Sequence, residues 1–322
     1  MRTATMAMAL AAGLSITAGA RAQSYPTKPV RVIVPYTAGS GIDAIAARPL
    51  TQKLSEIWGQ PVVVDNRTGA GGTIGTALVA KSPADGYTLL INSAAHVTNP
   101  LLYTKPPYDA SKDFVVVAPL VRLVNVLVVA PSTGIKSVSE LIAIARAKPG
   151  QLNFASSGTG TGTHFTAEKF KLMAGLDVVH IPYKGGPEAM TDVMMGRVTY
   201  WIPSIGTALP FIQGGKLLAL GVTSRQRSAA LPNVPTLAEA GLAGFDDALW
   251  MGMWAPTGTP TPIVERLAQD ISRALAMPDL RERLASNVGE PMNMTPPEFA
   301  RFVRSETEAA ARVIKAAGIK PQ

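Results

Sequence analysis

The chain has 322 residues, no cysteine, 47% hydrophobic residues and a formal net charge of +8. Without cysteine there is neither a disulfide framework nor thiolate chemistry, so packing alone must stabilise the molecule. Arg2 and Arg21 contribute to that charge, and the remaining basic residues form no run or amphipathic stripe; this excludes the clustered charge of a nucleic-acid or membrane-surface binder and leaves a mild field favouring anionic solutes.

Residues 1–22 read as an export signal: Arg2 supplies a basic start, Met6 to Ala18 an apolar stretch, and Ala20-Arg21-Ala22 the small residues of a cleavage site. The apolar stretch is too short for the ~20 residues that span a bilayer, and no later segment approaches that length. A mature chain of about 300 residues can build two lobes with separate cores.

Val30 to Pro35 reads as a buried strand, followed by the loop Thr37-Ala38-Gly39-Ser40-Gly41 and a helix with Ile42, Ile45, Ala46 and Leu50 at helical spacing. Pro61 to Asp65 is the next strand, and the glycine-rich Gly69-Ala70-Gly71-Gly72 leads into a helix from Thr73 to Lys81. Tyr87 to Ile91, nearly all apolar, fits a strand of a parallel sheet buried on both faces. Val124 to Pro131 and Leu249 to Pro256 both end in Ala-Pro and are expected to pair as crossover strands between lobes. Between them lies a second α/β set: helix 137–147, strand 153–155, helix 163–173, strand 178–182, helix 186–195, strand 198–202 and strand 217–223. Two amphipathic helices, 263–276 and 297–317, finish the chain. The expectation is an α/β protein of two lobes, residues 24–124 with 252–322 and residues 125–251, joined by two hinge strands with a ligand cleft between them.

Two loops share one design. Thr37 to Gly41 and Ser157-Gly158-Thr159-Gly160-Thr161-Gly162-Thr163 each join a strand to a helix, so glycines admit close backbone approach, hydroxyls add donors and a helix N-terminus adds positive partial charge. If the lobes face each other, the two loops make a socket of neutral donors, better matched to a carboxylate than to a phosphoester. Gly39-Ser40-Gly41-Ile42-Asp43-Ala44 also fits G-x-G-x-x-A, with Asp65 ending the next strand as in a dinucleotide fingerprint, but the insertion Pro35–Ala38 and the export signal stand against it. His96, His164 and His180 lack metal-ligand spacing, and no G-x-S-x-G elbow is present. Asp43 and His164 are the available partners for a catalytic base, and nothing in their spacing connects them. His164 stands between capping or packing and touching a ligand, Tyr183 and Lys184 follow a strand end where crevices form, and Trp201 and Trp250 read as core or hinge residues.

Beyond these local features, a series of ordered blocks resembles the Bug-type solute-binding proteins of tripartite tricarboxylate transporters. They are Pro35 to Asp43, Asp65 to Gly75, Asp85-Gly86-Tyr87-Thr88-Leu89, Pro107-Tyr108-Asp109 with Lys112-Asp113-Phe114, Pro182-Tyr183-Lys184-Gly185, Leu231 to Thr236 and Glu239-Ala240-Gly241. The resemblance implies a two-lobed, type II-like periplasmic binding fold that closes on its ligand, no enzymatic activity, and delivery of a small carboxylate to the membrane components of such a transporter; with the residue inventory above, the expectation is a monomer with no cofactor, no metal and no nucleic-acid partner. A ligand-presenting sensor would share all of these sequence features.

The resemblance places the ligand against Tyr36, Thr37, Ala38, Gly39, Ser40 and Gly41 of the first lobe, and against Ser157, Gly158, Thr159, Thr161 and Thr163 and the loop with Pro203 and Ser204 of the second. Asp43 and Ser93 in the first lobe and His164 and Tyr183 in the second are further candidate contacts beside these loops. Two departures from the family pattern bear on the ligand. Ser40 occupies a position where glycine is usual, and Pro203-Ser204 replaces an acidic or amide pair, leaving no counter-charge for the ammonium of an amino acid.

Overall fold

The computed structural model describes residues 25–316 and residue 318; the expected export signal over residues 1–22 lies outside them. Among the described residues, ten strands form: β1 (Val30–Val34), β2 (Val62–Asn66), β3 (Thr88–Ser93), β4 (Phe114–Val124), β5 (Val126–Val129), β6 (Asn153–Ser156), β7 (Val179–Pro182), β8 (Leu218–Val222), β9 (Ala248–Pro256) and β10 (Gly289–Pro291). Six make a sheet in the order β10-β4-β9-β3-β1-β2. β1 runs parallel to both β2 and β3, whereas β9 runs antiparallel between β3 and β4, so the sheet is mixed rather than wholly parallel. Its strands nevertheless bury both faces: Val30, Val32 and Val34 enter one apolar cluster and Ile33 the opposite one, as the two-residue period of a strand requires. Helices Arg48–Trp58, Thr261–Ala276 and Pro278–Ser286 cover the first face, and Thr73–Ala80 and Pro296–Ala316 the second.

The second lobe repeats this logic on a smaller scale. β5 pairs antiparallel with β8 and β6 pairs parallel with β7. The expected strand 198–202 contracts to Tyr200 and Trp201, which bridge Phe154 and Val128 respectively and so join the two pairs into one layer. Leu127 and Val129 face one core and Val126 and Val128 the other.

The lobe junction differs from the sequence expectation. Residues 124–131 and 249–256 do not pair with each other: β9 lies alongside β4, Val124 opposite Ala248, and β5 pairs with β8 inside the second lobe. β4 and β5 are one through-going strand interrupted only at Asn125. There Thr223 ties the two crossings together, its backbone N–H bonding Asn125 O (3.0 Å) and its hydroxyl bonding Asp247 O (2.8 Å).

One packing detail shows how tightly the first lobe is built. A Cβ on Gly252 of β9 would stand 2.5 Å from the Phe299 ring and 2.9 Å from that of Trp254, both fully buried. Gly252→Ala is therefore expected to cost about 1–3 kcal/mol through overpacking, read as a lower melting temperature with ligand-induced stabilisation retained.

Candidate functional site

Four helices begin at one cavity between the lobes. Their N-cap residues are Gly41 for the π-helical turn Ile42–Ala47 that runs on into Arg48–Trp58, Thr161 for Gly162–Ala174, Gly185 for Gly186–Met194 and Ser204 for Ile205–Gln213. All four line the same space of about 610 Å³ including its open mouth, together with the hydroxyl residues Tyr36, Ser40, Ser93, Ser157, Thr163 and Thr207. In the helix at Gly41 the Asp43 amide is taken by Ser40 Oγ (3.4 Å), and the other three helices have no side-chain cap hydrogen bond. The first amides of each helix have no intrahelical acceptor, and each N-terminus carries roughly half a unit of positive charge. Among the described residues, no Asp, Glu, Lys or Arg lines the cavity. Such an arrangement of peptide dipoles and hydroxyls is suited to holding an anion.

The loop amides have a different job from the helix amides. In the second lobe Ser157 N–H donates to Thr163 Oγ1 (3.0 Å), Gly158 N–H to Ser156 Oγ (3.1 Å), Gly160 N–H to His164 Nδ1 (3.2 Å) and Thr161 N–H to Gly158 O (3.2 Å). In the first lobe Gly39 N–H donates to Asp43 Oδ2 (2.8 Å) and Ser40 N–H to Thr37 O (3.1 Å). These bonds freeze the loops, with Gly158 and Gly160 at positive φ (128° and 80°), and leave the helix starts at Gly41 and Gly162 to face the cavity.

Of the residues singled out from the sequence, Tyr36, Ser40, Gly41, Ser93, Ser157, Thr161, Thr163, Pro203 and Ser204 line this cavity. Gly158, Thr159 and Tyr183 line a neighbouring groove instead, which shares Tyr36 and Ser157 with the cavity. Tyr183, expected to donate to the ligand, gives its hydroxyl to Asp192 (2.7 Å), and burial followed by that carboxylate pushes its pKa up to about 12. Thr37, Ala38, Gly39, Asp43 and His164 line neither space.

Asp43 and His164 are braces. The Asp43 side chain is fully buried and accepts from Gly39 N–H, Arg48 Nε (2.8 Å) and Asn66 Nδ2 (3.1 Å). Burial works to raise its pKa, but these hydrogen bonds and the guanidinium outweigh it and hold the carboxyl below its ordinary range. His164 stacks on His180 with ring centroids 4.1 Å apart, and Ser156 Oγ lies 2.6 Å from His180 Nε2. Both imidazoles thus support the second-lobe loop. Burial lowers their pKa to about 3 for His164 and about 4 for His180, with Lys171 adding repulsion in each case.

The cavity also contains residues not marked as ligand contacts from the sequence, namely Ile42, Leu123, Gly185, Gly186, Thr207, Leu249 and Met251, together with Gly162 of the second-lobe loop and Trp201, read as a core or hinge residue. Gly185-Gly186-Pro187 carried a usable signal, because proline in the first turn of a helix marks its start. The aliphatic residues carried none, since a cavity wall and a core position have the same composition.

Backbone closeness shows that the lobes meet around the cavity. Thr98 Oγ1 donates to Gly160 O across the cleft at 2.8 Å. A Cβ on Gly71 would lie 2.2 Å from Thr159 O, one on Gly160 1.8 Å from Asn99 Oδ1, one on Gly185 2.5 Å from Thr37 Oγ1 and one on Gly206 2.1 Å from Asn287 O. Glycine on one side of each contact lets a backbone or side-chain oxygen from across the cleft come this close.

Two α/β lobes shut over an uncharged, dipole-lined cavity define a solute-binding protein with the fold of periplasmic binding proteins. The chain belongs to the tripartite tricarboxylate transporter receptor family (TctC), whose family model matches residues 46–319. It is 38% identical to BugT of Bordetella pertussis over 307 residues, covering 95% of this chain and 94% of that one. Its structure is similar to that of Rpa4515 from R. palustris with adipate (TM-score 0.88, 37% identity, 92% of this chain and 100% of that one). It is also similar to MatC from Rhodopseudomonas palustris with bound malate (TM-score 0.85, 31% identity, 90% and 100%).

Because His164 and His180 are held neutral when folded but ionise near 6.5 when unfolded, the unfolded chain binds more protons between about pH 6.5 and 4. Stability should fall as pH drops through that window. Melting temperatures of the wild type and of His180→Gln across it provide the check, with a shallower decline expected in the variant.

Proposed function

We propose that the protein is an exported receptor that captures a small dicarboxylate in the closed cleft, without transforming it, and delivers it to the membrane components of a tripartite tricarboxylate-type transporter. The observation that carries this reading is the convergence of four helix N-termini, three of them without a side-chain cap, on a space that no charged side chain lines among the described residues. Peptide dipoles stabilise anions and repel cations, so neither an ammonium nor a metal ion is favoured there. Adipate in one structural neighbour and malate in another support a ligand of this class, and membership of a transporter receptor family supports the delivery step. Sheet pairing supports lobes divided at Val124/Asn125 and Asp247/Ala248; the second boundary lies slightly before the residue 252 expected from sequence. The ligand docks first on the helix start at Gly41, and the second lobe then swings about the two crossings to bring up the starts at Gly162, Gly186 and Ile205.

Calorimetric titration with adipate and malate should give saturable one-to-one binding, and mass spectrometry should recover the acid unchanged. Absence of binding by any small carboxylate, or turnover of the acid, defeats the proposal. Closure has its own test, because Gly71 sits at the seam with a φ of 64°. In Gly71→Val the lobes are wedged apart, so affinity should drop by about tenfold or more, about 1.4 kcal/mol per factor of ten, and the ligand-induced decrease in radius of gyration seen by X-ray scattering should vanish.

A further inference from the structure

The groove beside the cavity is the larger of the two spaces, about 1180 Å³ including its open mouth against about 610 Å³. Both lobes build it: the first contributes the loop 68–72 with Leu102 and Tyr103, the second Thr159, Tyr183 and Lys184. Tyr36 of the first lobe and Ser157 of the second line both spaces. The boundary between cavity and groove therefore runs along the line where the lobes meet, and not through the body of either. The hydrogen bonds of these two residues stay within their own lobes, the Tyr36 hydroxyl donating to Asn92 Oδ1 (3.2 Å) and Ser157 N–H to Thr163 Oγ1 (3.0 Å).

The two spaces differ in charge. Among the described residues the cavity lining carries none, whereas the groove carries one cation, Lys184, and no Asp or Glu. Lys184 is exposed and has no ion-pair or hydrogen-bond partner among the described residues. The acid that its neighbour Tyr183 reaches is already occupied, since Asp192 takes the Tyr183 hydroxyl (2.7 Å) and Arg197 Nη1 (2.9 Å). The ammonium is thus open to an acceptor that arrives from outside. Pro35, Leu102 and Pro182 give the groove apolar wall on which a hydrocarbon chain sheds water. The loop opposite Lys184's lobe holds an unusual shape: residues 69–72 all have positive φ, Ala70 at 48° despite its Cβ. Backbone strain of this kind persists where the surroundings hold a functional shape.

We infer that the groove is the outer half of the binding site, seating the far end of dicarboxylates longer than adipate, with Lys184 as the cation that meets the distal carboxylate. This rests on the dicarboxylate reading above and extends it. The first carboxylate stays at the helix starts of the cavity, the chain crosses between Tyr36 and Ser157, and the second carboxylate emerges beside Lys184. A compact charge on a flexible stem suits acids of several lengths. A short diacid is enclosed by the cavity and does not touch it.

The experiment titrates the full mature chain calorimetrically, at one salt concentration, with adipate, malate, suberate and sebacate, and with octanoate and decanoate as the monoacids of matching length. Wild type, Lys184→Gln and Lys184→Glu are compared. The wild type should bind suberate or sebacate, and bind it more tightly than the monoacid of the same length, a comparison that needs no variant. The affinity of that long diacid relative to the better-bound of adipate and malate should fall about fivefold in Lys184→Gln, the upper end for an exposed ion pair. It should fall further in Lys184→Glu, where like charges face each other. Taking the ratio removes any effect of the substitution that acts on all anions alike. A wild type that binds a short diacid but neither long one, or that binds the long diacid no better than its monoacid, overturns this inference alone. The same holds if the ratio is unchanged across the three proteins. A wild type that binds none of the acids overturns the dicarboxylate reading and this inference together.

Discussion

The electrostatics of the cavity come from peptide groups rather than from side-chain charge, and the rest of the molecule is arranged around that constraint. A dipole at a helix start acts only within the first turn, so it must be aimed. Aim comes from the strands: the helix at Gly41 follows β1, that at Gly162 follows β6, that at Gly186 follows β7, and that at Ile205 follows the two-residue link at Tyr200 and Trp201. The parallel β1/β2 and β6/β7 pairs point the ends of their strands in common directions, and two lobes facing each other bring these ends to one place. An arginine could supply the same charge, but on a long side chain whose ordering would cost rotamer entropy. Backbone amides on packed helices are ordered before the ligand arrives.

That arrangement explains why so much polarity is spent inside the loops. Asp43 and Arg48 on one side, and Ser156, His164 and His180 on the other, make bonds that hold the loop backbone in shape. Removing the charge of Asp43 would leave the Gly39 amide and the Arg48 guanidinium without their shared acceptor. Glu168, buried beside Lys171 with its pKa raised by desolvation, continues the second-lobe group away from the cavity. Of the braces, only Asp43 and Arg48 in the first lobe carry charge, and the cavity wall carries none among the described residues, so an incoming anion meets no fixed carboxylate.

The general architecture was legible because buried strands and helix starts have local signatures. Val30 to Val34 and Thr88 to Ser93 read as apolar runs, and the glycine–threonine loops announced the helices at Gly41 and Gly162. The rest depended on distant pairing. β4 was overlooked because Pro119 and Arg122 interrupt its apolar run, and the strand accommodates them at register shifts against β9. Helix Ile205–Gln213 was hidden by Gly206 and by Pro210 in its interior. At the site, the loop hydroxyls Ser40, Ser157, Thr161 and Thr163 line the cavity, but which amides remain available could not be read from spacing. That follows from the side-chain acceptors, Asp43 and His164 among them, and these looked like ligand contacts from sequence. Trp201 is both a core residue, 1% exposed, and part of the cavity wall, and nothing in the sequence marks the second role.

Val124 and Ala248 stand side by side as partners in adjacent antiparallel strands, although more than a hundred positions of chain separate them. The whole of the second lobe is thus a detour that leaves and re-enters the first sheet at a single point. A tight reverse turn is enough to bridge such a pair, so a gene with the intervening stretch replaced by an Asn-Gly turn would encode a much shorter molecule retaining all six strands of the larger sheet. Such a miniature would display the helix start at Gly41 as an open, single-sided dock and separate the first encounter with an acid from its enclosure.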